Sequence, residues 1–314
     1  MKRTTSITIR SLVLAGAVAA LGAQAATAET PRDKMLVSAE WLKAHSADKN
    51  LVLLQVGDKK EYDAGHIPGA RLAGMEALST PMNAAAGALS LEMQSPDDLR
   101  KQMESLGITK NSKIVVSFGS ASLPMATRAI LVLNEAGYGK QTSLLDGGST
   151  AWQAAGYPMS TDAPAITPTK LTPFKMQGRI VDADFVQAHL KSPGYKVIDA
   201  RAPMFYDGLS PGAGTAKGHL PGAVSVPFMS VQDASGKLKS ADELSTMFKT
   251  AGVSKGDHVV VYCHIGAQAT AVIFAARSVG IDAQLYDGSF QDWTRRGLPV
   301  EAPPASTAPA SAKP

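Results

Sequence analysis

An internal repeat constrains the fold of this chain more than any other feature of its sequence. Four features occur in each half in the same order: an apolar run, a Gly-His-Ile/Leu-Pro-Gly-Ala turn, an Asp-Gly pair, and a Trp that precedes Gly-x-Pro. They lie at 51–56, 65–70, 146–147 and 152–158 in the first half, and at 196–201, 218–223, 287–288 and 293–299 in the second. A repeated order of this kind predicts a duplicated domain.

Short apolar strands alternate with helix-like segments within each half. The run at 114–116 precedes a helical stretch at 126–136, and the run at 259–262 precedes another at 270–279. A glycine follows each stretch, which is the usual left-handed helix cap. Continuous apolar strands separated by helices indicate a parallel sheet that is buried on both faces. The predicted fold class is α/β, with two domains that each contain a parallel sheet covered by helices on both faces.

The segments outside the repeats divide the rest of the chain. The stretch from Pro158 to Pro173 is rich in Pro, Thr and Ala without periodicity, which is typical of a semi-extended connector. The C-terminal end contains Pro, Ala and Ser and no large apolar side chain to bury. The predicted division is a signal peptide at 1–28, a first domain at 35–160, a linker at 161–176, a second domain at 177–300 and a disordered tail at 301–314.

The N-terminal segment has the pattern of a secretory signal peptide. It begins with three basic residues, Lys2, Arg3 and Arg10. The apolar stretch at 11–22 is too short to span a bilayer comfortably, and Ala-Thr-Ala at 26–28 is an A-x-A cleavage pattern. An uncleaved amphipathic anchor is disfavoured because the stretch has no charged face. We expect export by the general secretory route to a bacterial periplasm, without a stable membrane span.

The net charge argues against a nucleic-acid partner. The whole chain carries +4, and three basic residues lie in the segment at 1–28, so the mature chain is near +1. No cluster of Lys and Arg interleaved with aromatic residues occurs elsewhere. We therefore expect no nucleic-acid binding.

The only cysteine, Cys263, lies between an apolar strand and a predicted helix that begins near Ala269 or Thr270. Backbone N–H groups and the helix N-terminus direct partial positive charge into such a junction. We therefore expect this thiol to ionise more readily than a free cysteine, whose pKa is about 8.5. A lone cysteine at a strand end is often only a small buried apolar residue. Here a reactive thiol is favoured, because an exported chain with one cysteine has no internal disulfide partner and small residues surround Gly266.

Taken together, these segments resemble the tandem form of the rhodanese family of sulfurtransferases. The resemblance rests on the strand end Asp199-Ala200-Arg201, the Cys263 loop, and the turn and the Asp-Gly…Trp…Gly-x-Pro ending found in both halves. It covers approximately residues 35–300. Each motif alone is weak evidence for the family, but the occurrence of the motifs twice in the same order is highly specific for it.

The resemblance implies a ping-pong sulfur transfer through Cys263. The Cys263 thiolate would attack the outer sulfur of a donor such as thiosulfate and become a persulfide, and a thiol or cyanide would then accept that sulfur. A cradle for the anionic sulfur would come from the backbone N–H groups of the loop that follows, which comprises His264, Ile265, Gly266, Ala267, Gln268 and Ala269. Asp199 and Arg201 would form a buried pair that braces the loop. No metal or organic cofactor is implied.

The first half lacks the residues that carry this chemistry. Its sequence at the corresponding position is Val116-Ser117-Phe118-Gly119-Ser120-Ala121-Ser122, without a cysteine, and its strand end is Gln55-Val56-Gly57. We expect a catalytically silent domain that packs against the second. Ser120 or Ser122 as a serine nucleophile is the alternative, but neither has a His/Asp partner or a nucleophile-elbow pattern.

Departures from the family pattern bear on the donor. His264 and Ile265 stand where efficient thiosulfate users often have basic residues, and Phe205 stands where many two-domain members have an arginine. Less positive charge should bind a dianionic donor less tightly. The mercaptopyruvate branch is disfavoured because its loop is typically Cys-Gly-Ser-Gly. A thiol persulfide or a protein partner is the alternative donor.

The same residues disfavour some alternative functions and leave others open. A cysteine phosphatase of Cys-x5-Arg type is disfavoured because Ala269 stands in the arginine position. Zinc is disfavoured because no Cys/His/carboxylate cluster has ligand spacing. His66 and His219 are interpreted as structural residues of the turns, and His264 either contacts substrate or is a solvated loop residue. A persulfide carrier without turnover remains open beside the enzyme.

Overall fold

The computed structural model describes residues 29–74, 78–81, 87–119, 123–211, 216–254 and 256–302. The predicted signal peptide at 1–28, most of the predicted tail at 301–314, and the alternative nucleophiles Ser120 and Ser122 lie outside the described residues. Among the residues described, no helix is long and apolar enough to cross a membrane.

Two five-stranded parallel sheets form the framework of the molecule. The first contains β1 (Leu36–Val37), β2 (Leu51–Val56), β3 (Arg71–Ala73), β4 (Lys113–Phe118) and β5 (Thr142–Leu145). The second contains β6 (Ile180–Val181), β7 (Tyr195–Asp199), β8 (Val224–Ser225), β9 (His258–Tyr262) and β10 (Ala283–Tyr286). The strand orders are β1-β5-β4-β2-β3 and β6-β10-β9-β7-β8, so the two sheets share one topology. The predicted α/β fold of two repeated domains is confirmed.

Helices cover both faces of each sheet. In the first half they are α1 (Pro31–Met35), α2 (Ala39–His45), α3 (Lys59–Ala64), α4 (Pro96–Ser105), α5 (Leu123–Leu133) and α6 (Gly148–Ala154). In the second half they are α7 (Ala183–His189), α8 (Pro203–Tyr206), α9 (Ala241–Thr250), α10 (Ala267–Ser278) and α11 (Ser289–Arg295). Short 3-10 turns lie at Gly139–Gln141 and Phe228–Val231, and a π-helical turn lies at Asn134–Tyr138.

The helix caps repeat along with the helices. Ser38 accepts a hydrogen bond from the third residue of α2 at 3.1 Å, and Asp182 does the same for α7 at 2.8 Å. Ser95 and Ser240 cap α4 and α9 in the same way. Each cap satisfies a backbone N–H group that has no partner inside its helix, so the helix starts are determined locally.

The helix that follows Cys263 begins earlier than the sequence pattern predicts. It starts at Ala267 rather than near Ala269 or Thr270, because Gly266 takes a left-handed conformation (φ +83°) and turns the chain directly into the helix. Ala267, Gln268 and Ala269 are therefore the first turn of α10. Gly280, with φ +81°, follows the end of the helix as expected.

The two domains share one apolar core. The inner faces of both sheets and the helices α5 and α10 contribute to a single buried cluster, which includes Ile130, Val132, Val272 and Phe274. Between these helices, the Thr127 and Thr270 hydroxyls form a hydrogen bond of 2.8 Å. The outer faces of the sheets have separate cores, with Trp152 in one and Trp293 in the other. The second domain therefore rests on the first along the helix that follows Cys263.

Candidate active site

Cys263 lies at the carboxyl end of β9, immediately before the turn into α10. The loop at 263–269, called the Cys263 loop below, is also held by the start of α11. The Phe290 N–H group donates to Cys263 O, and the Gln291 N–H group donates to His264 O, both at 3.0 Å. This is the edge at which parallel α/β sheets place their reacting groups.

Backbone N–H groups surround the Cys263 sulfur. The backbone N–H groups of Ile265, Gly266, Gln268 and Ala269 interact with the thiol, and each interaction lowers its pKa. Four of the six residues predicted for the cradle are thus placed around the sulfur. Ala267 is the first residue of α10, and the His264 ring packs against Phe205. The arrangement suits an anionic sulfur, because converging N–H dipoles stabilise negative charge.

The expectation that Cys263 ionises more readily than a free cysteine is wrong in sign. The residue is 1% exposed, and this burial raises the pKa of its thiol above that of a free cysteine despite the opposing effect of the four N–H groups. The free energy lost when the thiolate is removed from water exceeds the stabilisation that the backbone dipoles provide. The sequence indicates that backbone dipoles lie near the sulfur, but the degree to which the sulfur is buried depends on tertiary packing.

Asp199 and Arg201 form a buried ion pair beside Cys263. Arg201 Nε lies 3.0 Å from Asp199 Oδ1, and Arg201 Nη2 lies 2.6 Å from Asp199 Oδ2. Arg201 also donates to Gly218 O at 2.7 Å, and its guanidinium lies 3.9 Å from the Phe290 ring centroid. The Tyr262 hydroxyl donates to Asp199 Oδ2 at 2.5 Å. The pair therefore connects the strand end to the residue before Cys263, to the turn at 218–223 and to α11.

His264 is a neutral, half-buried ring at this edge. Burial lowers its pKa from 6.5 to about 4, and the nearby charge of Arg201 lowers it further while Asp199 opposes the shift. The ring makes an edge-to-face contact with Phe205 at 4.6 Å between centroids. His264 therefore carries no charge near neutral pH.

The first domain has no counterpart of this chemistry in its described residues. Phe118 follows Ser117 in β4, as Cys263 follows Tyr262 after β9, and Ser117 pairs with Gln55 as Tyr262 pairs with Asp199. The side-chain oxygens of Gln55 and Ser117 are buried without a hydrogen-bond partner among the described residues. An aromatic ring thus takes the position of Cys263, and the neutral Gln55 takes the position of Asp199.

The histidines of the repeated turn occupy matching structural positions. His66 stacks on Tyr62 at 3.8 Å, and its Nδ1 lies 2.8 Å from Tyr62 O. His219 stacks on Tyr206 at 3.9 Å, and its Nδ1 lies 2.8 Å from Tyr206 O. Each ring thus stacks on and hydrogen-bonds to the helix that precedes its turn, α3 for His66 and α8 for His219.

Sequence reasoning missed two contributors to the site. Ser289 has φ +52°; its Oγ accepts from the Cys263 N–H group at 3.2 Å and donates to Tyr286 O at 2.8 Å. Asp287 pairs with Arg128 of the first domain beside Gly266. The Asp-Gly-Ser segment was visible as part of the repeat, but only as a marker of the domain. The arginine lies 159 residues away from its partner and carries no local signal.

Comparison with protein families agrees with this geometry. A model of the rhodanese-like domain matches residues 38–155 and again residues 182–296. The chain is 29% identical over 283 residues to the sulfur carrier protein TtuD of Thermus thermophilus, covering 85% of this chain and 96% of that protein. It is 29% identical over 280 residues to the 3-mercaptopyruvate sulfurtransferase of Escherichia coli (strain K12), covering 84% and 97%. It is 28% identical over 251 residues to the thiosulfate sulfurtransferase of Rattus norvegicus, covering 77% and 81%.

Solved structures show the same fold. The anaerobic ergothioneine biosynthesis enzyme from Chlorobium limicola, in complex with trimethyl histidine, matches with a TM-score of 0.76 at 22% identity. The match covers 86% of this chain and 71% of that one. At this identity the likeness concerns the fold alone.

Proposed function

This chain belongs to the rhodanese family and is a sulfurtransferase, and on that premise we propose that its second domain transfers a sulfane sulfur through a persulfide on Cys263. The donor is a compound such as thiosulfate, and the acceptor is thiophilic, such as cyanide or a thiol. The observation that carries the proposal is the convergence of four backbone N–H groups on the sulfur of the chain's only cysteine.

The first half-reaction loads the sulfur. The Cys263 thiol loses its proton, and the thiolate attacks the outer sulfur of thiosulfate. A new S–S bond forms as the S–S bond of thiosulfate breaks, and sulfite leaves with the electron pair of that bond. The terminal persulfide sulfur then carries the negative charge, and the N–H groups of Ile265, Gly266, Gln268 and Ala269, which lower the pKa of the Cys263 thiol, would stabilise it. The raised pKa of Cys263 makes the deprotonation part of the barrier.

The second half-reaction unloads the sulfur. Cyanide attacks the terminal sulfur, the persulfide S–S bond breaks, and thiocyanate leaves while the Cys263 thiolate returns. A thiolate acceptor reacts in the same way and leaves as a persulfide. These steps conserve charge and electrons without a redox cofactor.

The first domain would serve this reaction without a counterpart of Cys263 among its described residues. Phe118 fills the position of Cys263, and the uncharged Gln55 and Gly57 stand where the second domain has Asp199 and Arg201. The shared core places this domain against α10, the helix that contributes Gln268 and Ala269 to the cradle. We assign it a supporting role in shaping the site.

The charges around the Cys263 loop bear on the donor. Arg201 is paired with Asp199, Arg128 is paired with Asp287, and His264 is neutral. These groups therefore contribute less binding free energy to a dianionic donor than an unpaired guanidinium would. Thiosulfate should react with a high KM, and a donor of lower charge, such as a thiol persulfide, should bind better. The relatives named for thiosulfate and for 3-mercaptopyruvate are almost equally similar, so identity does not select the donor.

A persulfide carrier loaded by a protein is the second candidate. The similarity to a sulfur carrier protein favours it, as do exposed apolar side chains near the site. Met204 is 49% exposed and Leu209 is 74% exposed, and they flank Phe205, which contacts His264. In this case Cys263 would hold the sulfur until a partner docks, and small acceptors would remove it slowly.

The intact mass of the mature protein tests the proposal. After incubation with thiosulfate, we expect a gain of one sulfur atom, and after addition of cyanide we expect its loss with release of thiocyanate. Cys263→Ser should show neither change. Continuous thiocyanate production would establish turnover, whereas a single loaded equivalent that cyanide removes slowly would favour the carrier. Sulfur gain by the Cys263→Ser variant would contradict the assignment of the nucleophile.

A further inference from the structure

Gly266, which contributes one N–H group to the cradle, lies against an ion pair that joins the two domains. A methyl group on its Cα would lie 2.7 Å from Asp287 Oδ1, 2.8 Å from Asp287 O and 3.2 Å from Arg128 Nη1. The two distances to Asp287 are too short for a carbon atom, the distance to Arg128 is tight, and the left-handed φ of +83° also favours glycine. The Cys263 loop therefore packs directly on the pair formed by Asp287 and Arg128.

Arg128 belongs to α5 of the first domain, and its side chain is completely buried. It contacts both carboxylate oxygens of Asp287, through Nη1 to Oδ1 and through Nη2 to Oδ2 at 3.2 Å. Its other bonds go to the first domain, where Nε donates to Ser79 Oγ at 3.2 Å and Nη2 donates to Leu91 O. The Met93 N–H group donates to Asp287 Oδ2 at 3.0 Å. The first domain thus both holds Asp287 and balances its charge.

Backbone strain is concentrated at the same junction. Across the described ranges, two residues other than glycine have φ in the left-handed region, Leu91 at 58° and Ser289 at 52°. Leu91 presents its carbonyl to Arg128, and Ser289 presents its hydroxyl to the Cys263 N–H group. Such conformations persist only where the surroundings hold them. The junction is therefore specifically ordered on both sides of the ion pair.

We propose that Arg128 of the first domain is a positioning residue for the Cys263 loop of the second. It neutralises Asp287 and, through Asp287, holds Gly266 in the conformation that directs backbone N–H groups at the sulfur. This inference rests on the proposed role of Cys263 and deepens it, since it assigns a residue of the silent domain to the working site.

Among the ionisable groups near the loop, Asp287 is the one that Arg128 contacts directly. Asp199 and Arg201 compensate each other, and His264 and Tyr262 are neutral near pH 7. Glu92, from the first domain, also faces Asp287 and Arg128. Without Arg128, Asp287 would be a buried and unpaired carboxylate next to a cradle built for an anion. Without the charge of Asp287, Arg128 would be an unpaired cation there. The two losses act on a thiolate with opposite signs.

The pH dependence of alkylation of Cys263 by iodoacetamide tests this proposal. Cys263 is the only cysteine, so the reaction reports one site whether or not the protein transfers sulfur. We expect Arg128→Met to raise the pH midpoint of alkylation by about one unit and to slow alkylation at pH 8 about tenfold. We expect Asp287→Asn, which keeps the shape of the side chain, to lower the midpoint. The double variant should return the midpoint toward the wild-type value.

The first domain offers a matched control. Asp146 occupies the place of Asp287 in the first repeat and accepts from the Leu238 N–H group at 2.8 Å. Arg32 lies 4.0 Å from it and donates to Leu238 O and Lys239 O in the second domain. Arg32→Met therefore removes an interdomain arginine away from Cys263 and should leave the midpoint unchanged.

The proposal is overturned if Arg128→Met and Asp287→Asn shift the midpoint in the same direction, if neither shifts it, or if Arg32→Met shifts it equally. Should Arg128→Met not fold, Asp287→Asn alone decides: a lower midpoint with an unchanged alkylation rate at high pH supports the charge effect. An unchanged or raised midpoint, or a lower midpoint with a faster rate at high pH, which would show that the loop has merely opened and exposed the buried thiol, overturns the proposal.

Discussion

Phe205 and His264 determine how much positive charge a sulfur donor meets beside Cys263. The phenyl edge packs against a histidine whose pKa is lowered to about 4 by burial, so neither side chain offers a cation near neutral pH. The Arg201 guanidinium, whose charge acts on His264, already bonds to Asp199. In the proposed mechanism, these residues would stabilise charge on the bound sulfur more than they would attract a charged donor.

A change at Phe205 tests this reading. We expect Phe205→Arg to raise kcat/KM for thiosulfate about tenfold, mainly through KM, because a hydrogen bond to a charged group contributes about 1.5–3 kcal/mol before screening. Steady-state thiocyanate formation at varied thiosulfate concentration measures the effect. Phe205→Met, which keeps the side chain large and uncharged, should leave KM nearly unchanged. An equal response of the two variants would show that shape, not charge, limits the donor.

At the scale of elements, strand ends and helix starts position Cys263. Cys263 directly follows β9, and α10 begins with residues of the predicted cradle. Two N–H groups of α11 donate hydrogen bonds to the carbonyls of Cys263 and His264. Ser289 begins α11 in a left-handed conformation, whereas the first repeat has Gly148 at the equivalent position with φ +57°. In the second domain a residue with a side chain adopts this strained conformation, and the Ser289 hydroxyl accepts a hydrogen bond from the Cys263 N–H group.

Two substitutions at Ser289 separate this strain from the hydrogen bond. Ser289→Ala and Ser289→Gly both remove the hydroxyl, so both should slow sulfur transfer roughly fivefold, which corresponds to about 1 kcal/mol. Only the glycine variant relieves the left-handed strain, so it should be more stable than the alanine variant by about 1 kcal/mol. Urea unfolding and steady-state rates give the two quantities. Equal stability of the variants would mean that the conformation is not strained.

The contact between the domains makes the stability of the whole molecule depend on pH. Glu92 of the first domain faces Asp287 of the second; burial and then the Asp287 charge raise the pKa of its carboxyl from 4.5 to about 7, against the opposing charge of Arg128. The folded protein therefore holds a proton at Glu92 that the unfolded chain has released between about pH 4.5 and 7. Stability from this group is greatest below that window and is lost as the pH rises through it.

Replacement of Glu92 by glutamine should remove this dependence. We expect the free energy of unfolding of wild type to fall between pH 5 and pH 8 by about 1 kcal/mol more than that of Glu92→Gln, a value reduced for the partial exposure of the side chain. Urea unfolding of both proteins at the two pH values measures the difference, and taking the difference between proteins cancels other titrating groups. Parallel pH profiles would contradict the assignment.

Much of the molecule was predictable because it depends on local pattern. The duplicated domain follows from the recurrence of the turn and of the Asp-Gly…Trp…Gly-x-Pro ending, and the parallel sheets follow from continuous apolar runs such as 259–262. The position of Cys263 between a strand and a helix follows from the same periodicities. The start of α10 was misplaced by two or three residues because the left-handed Gly266, not helix propensity, begins it.

The sequence by itself thus determined two repeated α/β domains, a single thiol at a strand end, and a first half without that thiol. Each of these depends on residues that are neighbours along the chain or recur at a fixed spacing. Tertiary structure alone decided that burial raises the pKa of Cys263, that Ser289 holds its backbone, and that Arg128 of one domain balances Asp287 of the other. Desolvation and charge pairing depend on what packs around a group, and here that packing comes from residues far apart in the chain.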